Sequence, residues 1–343
     1  MTGVQTCALP ISLPELALPR SVTPPSSGGA QVAVQGFRIA GVDAAQATAL
    51  LPLVQKYTGP GKTLLDLEDA AKDVEVALQR QGYFLAQAYV PEQSLVDGVV
   101  TLQVLIGRIG AVKVEAAPGV AVAPEFMDRI VAVLRGNPVA ERELIERALF
   151  TLGDLRGIAV TTALTPGDKV GQADLSIQVV PSAATAYSLE AENGGSIFTG
   201  RYRINAGVER FNLLGRGDVA SLKAQVSTTG GTAFVRAAWL VPVNAVGSKV
   251  GVAASFLKYT LSSGAFDRLD AHGTASALSL QLLHPQWRSR NANLFLQASA
   301  DVRAFDDRVG SIDLKAKKGM TSYLTAGVVG DFRDTLGGGG ISN

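Results

Sequence analysis

Two periods of hydrophobicity divide this chain. Up to about residue 181, apolar side chains recur at helical spacing in four stretches separated by short β-like runs; from about Ala184 they alternate with polar neighbours. In the first part, Gly36-Phe-Arg-Ile39 reads as a strand. Ala44 to Tyr57 follows, with Ala47, Leu50, Leu51 and Val54 on one helical face. After a Gly59-Pro60-Gly61 break, Leu67, Ala70, Ala71, Val74, Ala77 and Leu78 mark a second helix, which Gly82 should end as a C-cap. Tyr83 to Val90 and Val99 to Ile106 read as strands, with a turn at Asp97-Gly98 between them. The same order then returns: a strand at Ile109 to Val114, helices at Pro124 to Leu134 and Glu141 to Leu152, and strands at Ile158 to Leu164 and Ala173 to Val179. A β-α-α-β-β unit has been duplicated.

In the second part Tyr202, Ile204, Ala206 and Val208 alternate with Arg201, Arg203, Asn205 and Glu209. Ala220, Leu222, Ala224 and Val226 alternate with Ser221, Lys223, Gln225 and Ser227, and Asn293 to Arg303 repeats the pattern. About eight such segments are legible, each near the ~10 residues that carry a tilted strand across a bilayer. A soluble antiparallel sandwich also alternates. Against it stand the even strand length, the Arg, Lys and Glu on the polar face, and connections that alternate short with long. Asn212 to Gly217 is tight, whereas Ser262 to Ala271 and Asp306 to Lys317 read as long loops. That rhythm is the one a membrane barrel shows.

Composition narrows the classes. The chain has 343 residues, a net charge of +1 and 47% hydrophobic residues. Its mean hydropathy is +0.22, yet no apolar run reaches the roughly 18 residues of a membrane helix. Near neutrality gives no nucleic acid reason to bind. Cys7 is the single cysteine, and His272 and His284 are the only histidines, so disulfides and thiolate or multi-histidine metal sites are not expected. Residues 1–11 read as translated sequencing adapter rather than a signal peptide, because no basic segment opens them. They should therefore be absent from the natural gene. Residues 12–35, rich in Pro, Ser and Gly, read as a linker.

Three motifs tempt and fail. Gly61-Lys62-Thr63 ends like a phosphate-binding loop, but Lys56 stands where the first glycine is required, and the stretch joins two helices. Gly215-Arg-Gly217-Asp-Val-Ala220 loosely matches a dinucleotide fingerprint, but a strand pattern follows where a helix must start. The Arg216-Gly217-Asp218 tripeptide inside it reads as turn chemistry. No carboxylate pair suggests acid–base work. No catalytic residue, cofactor, metal or nucleotide is expected, and the chain does not read as an enzyme.

Taken together, β-α-α-β-β twice over ahead of alternating strands resembles the two-partner secretion transporters of the hemolysin activator type. Tyr57-Thr-Gly59, Gly82-Tyr83, Pro91-Glu-Gln93 and Asp97-Gly98 are similar to a first polypeptide-transport-associated (POTRA) module. Glu143 to Leu149, Gly157 to Val160, Pro166-Gly167 and Gly171 to Leu175 are similar to a second. Asn193-Gly194, Thr199 to Tyr202 and Asn212 to Asp218 are similar to the start of the barrel. The resemblance implies an α+β then all-β architecture: POTRA modules at 36–107 and 108–181, then the N-terminal half of a transmembrane barrel at 184–343. About eight of roughly sixteen strands would be present. The Val-Arg-Gly-Tyr-type motif of the family's pore loop is not found, and neither are its plug helix and signal peptide.

It further implies a bacterial outer-membrane site with the modules in the periplasm, and export of a large unfolded exoprotein. The partners would be that client and outer-membrane lipid. An extended client could add a strand to a sheet edge of a module. The edges expected to receive it are Ile158, Val160, Thr162 and Leu164 in the second module and Phe84 and Tyr89 in the first. Arg203, Glu209, Lys223 and Arg236 would face the barrel lumen. Two rival readings remain: a factor that assembles other barrel proteins, and a passive porin with periplasmic scaffold modules.

Overall fold

A computed structural model describes residues 31–136, 139–261, 270–310, 314–334 and 340–342. The adapter expectation lies outside them, as do most of the linker and residues 262–269 of the expected Ser262 to Ala271 loop, while Ala271 itself already belongs to a strand. In the first unit β1 (Val32–Val34) and β2 (Gly36–Ala40) precede α1 (Ala44–Val54), β3 (Gly59–Lys62), α2 (Leu64–Arg80), β4 (Gln87–Tyr89) and β5 (Val99–Leu105). β5 lies in the middle of a sheet, parallel to β2 and antiparallel to β4. Val100, Leu102 and Val104 alternate inward from β5 onto Leu50 and Val54 of α1 and Val74 and Leu78 of α2. Two expectations are corrected here. Residues 32–34, placed in the linker, form β1, and the break at 59–62 is β3, its antiparallel partner. Three residues of β1 are too few, and Gly59, Pro60 and Gly61 in β3 leave too few side chains, for a period to show, so only their mutual pairing makes them strands.

The ends of α2 are built by local chemistry. Thr63 caps the start: its hydroxyl accepts from the Asp66 N–H, while Asp66 accepts from the Thr63 N–H at 2.8 Å. The Gly61-Lys62-Thr63 motif thus serves a helix cap. At the other end Gly82 takes φ of 102°, and the Tyr83 and Gly82 N–H groups donate back to Leu78 and Gln79. The chain then stays in turns, with Phe84 N–H donating to the Gly82 carbonyl and Ala86 N–H to that of Tyr83. These turns shorten the strand expected from Tyr83 to Val90 to the three residues of β4. Just past β4, Pro91 has no N–H to offer β5. The Gln93 carboxamide takes its place, accepting from the Thr101 N–H at 2.7 Å and donating to the Thr101 carbonyl at 2.8 Å.

The second unit repeats the plan with β6 (Arg108–Ala116), α3 (Pro124–Gly136), α4 (Arg142–Gly153), β7 (Ile158–Pro166) and β8 (Gln172–Pro181). β8 is central, parallel to β6 and antiparallel to β7. Phe126, Met127 and Ile130 of α3 and Leu149 and Leu152 of α4 fill the core against Leu175 and Ile177.

Beyond it a single antiparallel meander runs through β9 (Thr185–Glu192), β10 (Arg203–Phe211), β11 (Val219–Ser227), β12 (Thr232–Pro242), β13 (Lys249–Thr260), β14 (Ala271–Arg288), β15 (Ala292–Val309), β16 (Leu314–Asp334) and β17 (Gly340–Ser342). The loop expected from Asp306 to Lys317 is corrected: Asp307 pairs with Lys317 and Val309 with Leu314, so the ladder continues almost to the turn. Charges there fall on both faces, which hides the period without preventing the pairing.

Three substitutions test these ends. Gln93→Leu should cost the first unit about 1–3 kcal/mol, since it strands two β5 backbone groups, as urea unfolding of the 31–182 fragment would show. The Thr63 N–H and hydroxyl hold the Asp66 carboxyl below the usual carboxylate range. Lys56 and Tyr57 do the same to Asp73. Both groups bind protons less readily folded than unfolded, so their stabilisation is full above about pH 4 and is lost as pH falls through their folded values. Asp66→Asn and Asp73→Asn should each destabilise at pH 7, and the deficit should vanish in acid titrations of the same fragment.

Candidate functional site

β7 terminates its sheet, and no strand among the described residues pairs with its outer side. Ser182 N–H donates to the Gly157 carbonyl at 3.0 Å and Gly167 N–H to that of Gln172 at 2.9 Å. In that register the odd residues of β7 spend their N–H and C=O groups on β8, so the even ones point theirs away from the sheet. Ile158, Val160, Thr162 and Leu164 are the even residues. Their side chains pack toward α4 and the core, with Ile158 and Thr162 buried, while Ala159, Thr161, Ala163 and Thr165 are exposed on the other face. The result is nine residues of strand with unpaired backbone at the edge and no charged side chain to blunt it.

The first unit offers less. β4 is a three-residue edge carrying the exposed Tyr89, and Gln93 already occupies the edge of β5 beyond it. Phe84 does not belong to an edge strand, which corrects its expected role. It sits in the turns after Gly82 and packs on the second unit, where Arg142 lies 5.6 Å from its ring centre. Arg142 N–H also donates to the Gly82 carbonyl at 3.0 Å.

On the large sheet the register sorts side chains into two faces. Tyr187, Val208, Leu222, Ala237, Ala254, Leu278 and Val302 lie in one cross-strand row, and all face the same side. One residue along, the row reads Ser188, Gly207, Lys223, Arg236, Ser255, Ala277 and Arg303, facing the other. Arg203, Glu209, Lys223 and Arg236 therefore share the polar face. Arg203 pairs there with Glu192 at 2.8 Å, and Lys223 stands directly beside Arg236. Phe234, Leu257 and Phe305 interrupt this polar face.

Three turns at one end of the sheet meet the second unit. In the first, Asn212 adopts φ of 62° and accepts from the Gly217 N–H, while the fully buried Asp218 accepts from the Leu214 N–H and the Trp239 indole, all at 2.8 Å. Gly215 and Gly217, both at positive φ, turn their carbonyls to the Ala123 and Arg156 N–H groups of the second unit. The Arg-Gly-Asp tripeptide is thus part of a docked turn. In the second turn Gly247 packs on Thr151, and Ser248 links Asn244 to His284 at 2.9 and 2.8 Å. At the third, Arg288 donates to both oxygens of Asp154 and to Asn293, each at 2.8 Å. Its side chain is 8% exposed, with Phe150 and Phe295 rings 5.5 and 5.1 Å away. Next to it the Arg290 N–H donates to the buried Glu146. Sequence reading found neither Asp154 nor Arg288. They are 134 residues apart, and only the docking of two units joins them.

Two family models match this chain: "POTRA domain, ShlB-type" over residues 32–107 and "Haemolysin secretion/activation protein ShlB/FhaC/HecB" over residues 171–338. The chain belongs to the two-partner secretion transporter family. It is 27% identical over 284 residues to the heme/hemopexin transporter protein HuxB of Haemophilus influenzae, covering 82% of this chain and 50% of that one. The chain thus spans about half the length of that curated relative. Its fold is that of Escherichia coli CdiB, with a TM-score of 0.69 at 20% identity, covering 94% of this chain and 60% of that one. BamA from Haemophilus ducreyi lacking POTRA domains 1–3 is less similar, with a TM-score of 0.50 at 14% identity over 88% of this chain and 59% of that one. The first unit is thus a POTRA domain in the periplasm, and the large antiparallel sheet is part of an outer-membrane barrel.

In a transmembrane barrel the apolar face is the one turned to lipid. In the full-length protein Leu222→Arg should cost roughly 2–4 kcal/mol near the bilayer midplane, while Lys223→Gln should be nearly neutral. The folded fraction from heat-modifiable gel mobility after urea titration measures both.

Proposed function

We propose that this chain is the N-terminal half of a translocator that exports one large, mostly unfolded exoprotein across the outer membrane. In this reading the second unit is also a POTRA module, and the large sheet is completed to a barrel of about sixteen strands. The observation that carries the mechanism is the nine-residue edge of β7. Its even residues turn N–H and C=O groups outward, the complement that an extended chain needs to add as a fourth strand. Backbone pairing would hold a client that has no fold of its own, whatever its side chains. The polar face of the sheet would then line its path. Arg203, Glu209, Lys223 and Arg236 put both signs of charge along that face, so that an extended chain passes without one tight site to trap it.

Family membership and the HuxB match favour transport over a role in assembling other barrel proteins, since the likeness to BamA extends to the fold alone. A passive porin has no use for an open periplasmic strand edge.

The test follows from the register. Thr162 is a poor probe because its side chain is buried, and proline at Thr161 would break a bond to β8. Val160 is half-buried and its N–H points outward. Val160→Pro in the full-length protein should reduce exoprotein secretion by about tenfold or more, because it deletes a donor and distorts the edge. Val160→Ala should stay within about twofold, since it alters no backbone donor. Both variants are to be checked for folded barrel in the outer membrane. Equal secretion by the two would place the client elsewhere.

A further inference from the structure

Three features coincide on the lipid-facing side of β13 to β16, at the end away from the POTRA domain. The first is a charged row. Lys258, Thr274, Asp306 and Lys318 are cross-strand neighbours, and Thr260, His272 and Arg308 form the row above. Asp306 is shared by Arg308 at 3.1 Å and Lys318 at 3.5 Å. Lys258 has no carboxylate partner among the described residues. Asp270 sets a second carboxylate 3.5 Å from the His272 ring, so three permanent cations meet two carboxylates, and Lys258 carries the excess positive charge directed away from the barrel interior.

The second is a hollow of about 470 Å³ beneath that row, lined by Thr274, Ser276, Ala304, Asp306, Lys318 and Met320. The third is a larger hollow of about 750 Å³ below it, lined by Val252, Leu278, Leu280, Ala300, Val302 and Leu324. The register stacks the two without a gap. Row Thr274–Asp306–Lys318 is followed by Ser276–Ala304–Met320, then by Leu278–Val302–Ser322 and Leu280–Ala300–Leu324. Small side chains at Ala304, Ser322 and Ala300 make the groove, and Met320, Leu278, Leu280 and Leu324 wall it. Six residues of strand cover about 20 Å. At a barrel strand's tilt of roughly 40° that is a depth of about 15 Å, the hydrocarbon thickness of one leaflet.

We propose that this groove is a seat for a phosphorylated, acylated glycolipid of the outer leaflet, of the lipopolysaccharide class. Its phosphate lies against Lys258, Lys318 and Arg308, its sugar enters the upper hollow beside Thr274 and Ser276, and an acyl chain fills the lower one. Lys and Arg are the side chains suited to a phosphate, the first as a point charge and the second as a fork. An apolar hollow alone would accept any acyl chain. The cationic ledge at its head and its position at the outer end select a lipid with anionic phosphate in that leaflet.

The experiment uses the full-length protein, purified in mild detergent and stripped of endogenous lipid. Native mass spectrometry then counts bound bis-phosphorylated lipid A, dephosphorylated lipid A or phosphatidylglycerol. Lipid A should bind at least about tenfold more tightly than either of the others, consistent with about 1 kcal/mol for each basic side chain at a lipid phosphate. Lys258→Glu with Lys318→Glu, and separately Ala300→Phe, should each lower lipid A binding by about tenfold or more. Leu222→Phe, on the same face but far from the groove, should leave it unchanged. All variants must show heat-modifiable, folded barrel. Because the three lipids are compared on the unaltered protein, a misfolded variant cannot decide the result. Equal binding of phosphatidylglycerol or of dephosphorylated lipid A, or lipid A binding untouched by both charge reversals, overturns the assignment.

Discussion

Inside a bilayer there is no water to take up a backbone hydrogen bond, so every N–H and C=O group of a spanning segment must find a partner within the protein. The meander from β9 to β17 answers this with one continuous antiparallel ladder, in which each strand is paired to the next along nearly its whole length. That single demand fixes the rest. It forces period-two alternation, which sends Leu222 to one face and Lys223 to the other. It pushes irregular backbone to the two ends, where turns can be solvated or docked. It makes an unpaired edge conspicuous wherever one survives in the α/β units.

The turns at the inner end do more than reverse the chain. Each presents polar backbone or a charged side chain to the second unit: Gly215 and Gly217 carbonyls, the Gly247 backbone, and Arg288 with its neighbour Arg290. Arg288 is close to fully buried, yet its cation is met by a carboxylate, an amide oxygen and two aromatic faces. Removing Asp154 alone would leave that cation stranded, which is far costlier than never burying it. The second unit is thereby seated on three hairpins at once. The first is joined to it through the Gly82–Arg142 bond, the Phe84 ring and the close approach of Gly107 to Leu85.

How much of this could be read from the residues follows from range. The helices over 124–136 and 142–153 and the strands over 219–227 and 293–303 announce themselves because periodicity is a local property. The face assigned to Arg203, Glu209, Lys223 and Arg236 follows from the same alternation. Residues 32–34 and 59–62 carry no such signal and become strands only through each other. Phe84 lay in an apolar run that resembled a strand, but the glycine before it sets a helix cap whose turns consume the next residues. The Gln93 carboxamide replacing the missing Pro91 donor needs a fixed tertiary neighbour, and so does Asp154 meeting Arg288. No pattern in a single sequence states such pairings.

The unpaired β7 edge has a consequence for the protein by itself. An edge open to strand addition is open to β7 of a second molecule, and Ala159, Thr161, Ala163 and Thr165 carry no charge to keep such a copy away. A freshly synthesised molecule waiting in the periplasm would be at risk of stacking edge to edge with its siblings. The membrane-seated form escapes this by dilution in the plane and by anchorage to its barrel. Overproduction of the periplasmic half without that anchor should therefore favour concentration-dependent assemblies built on paired β7 strands.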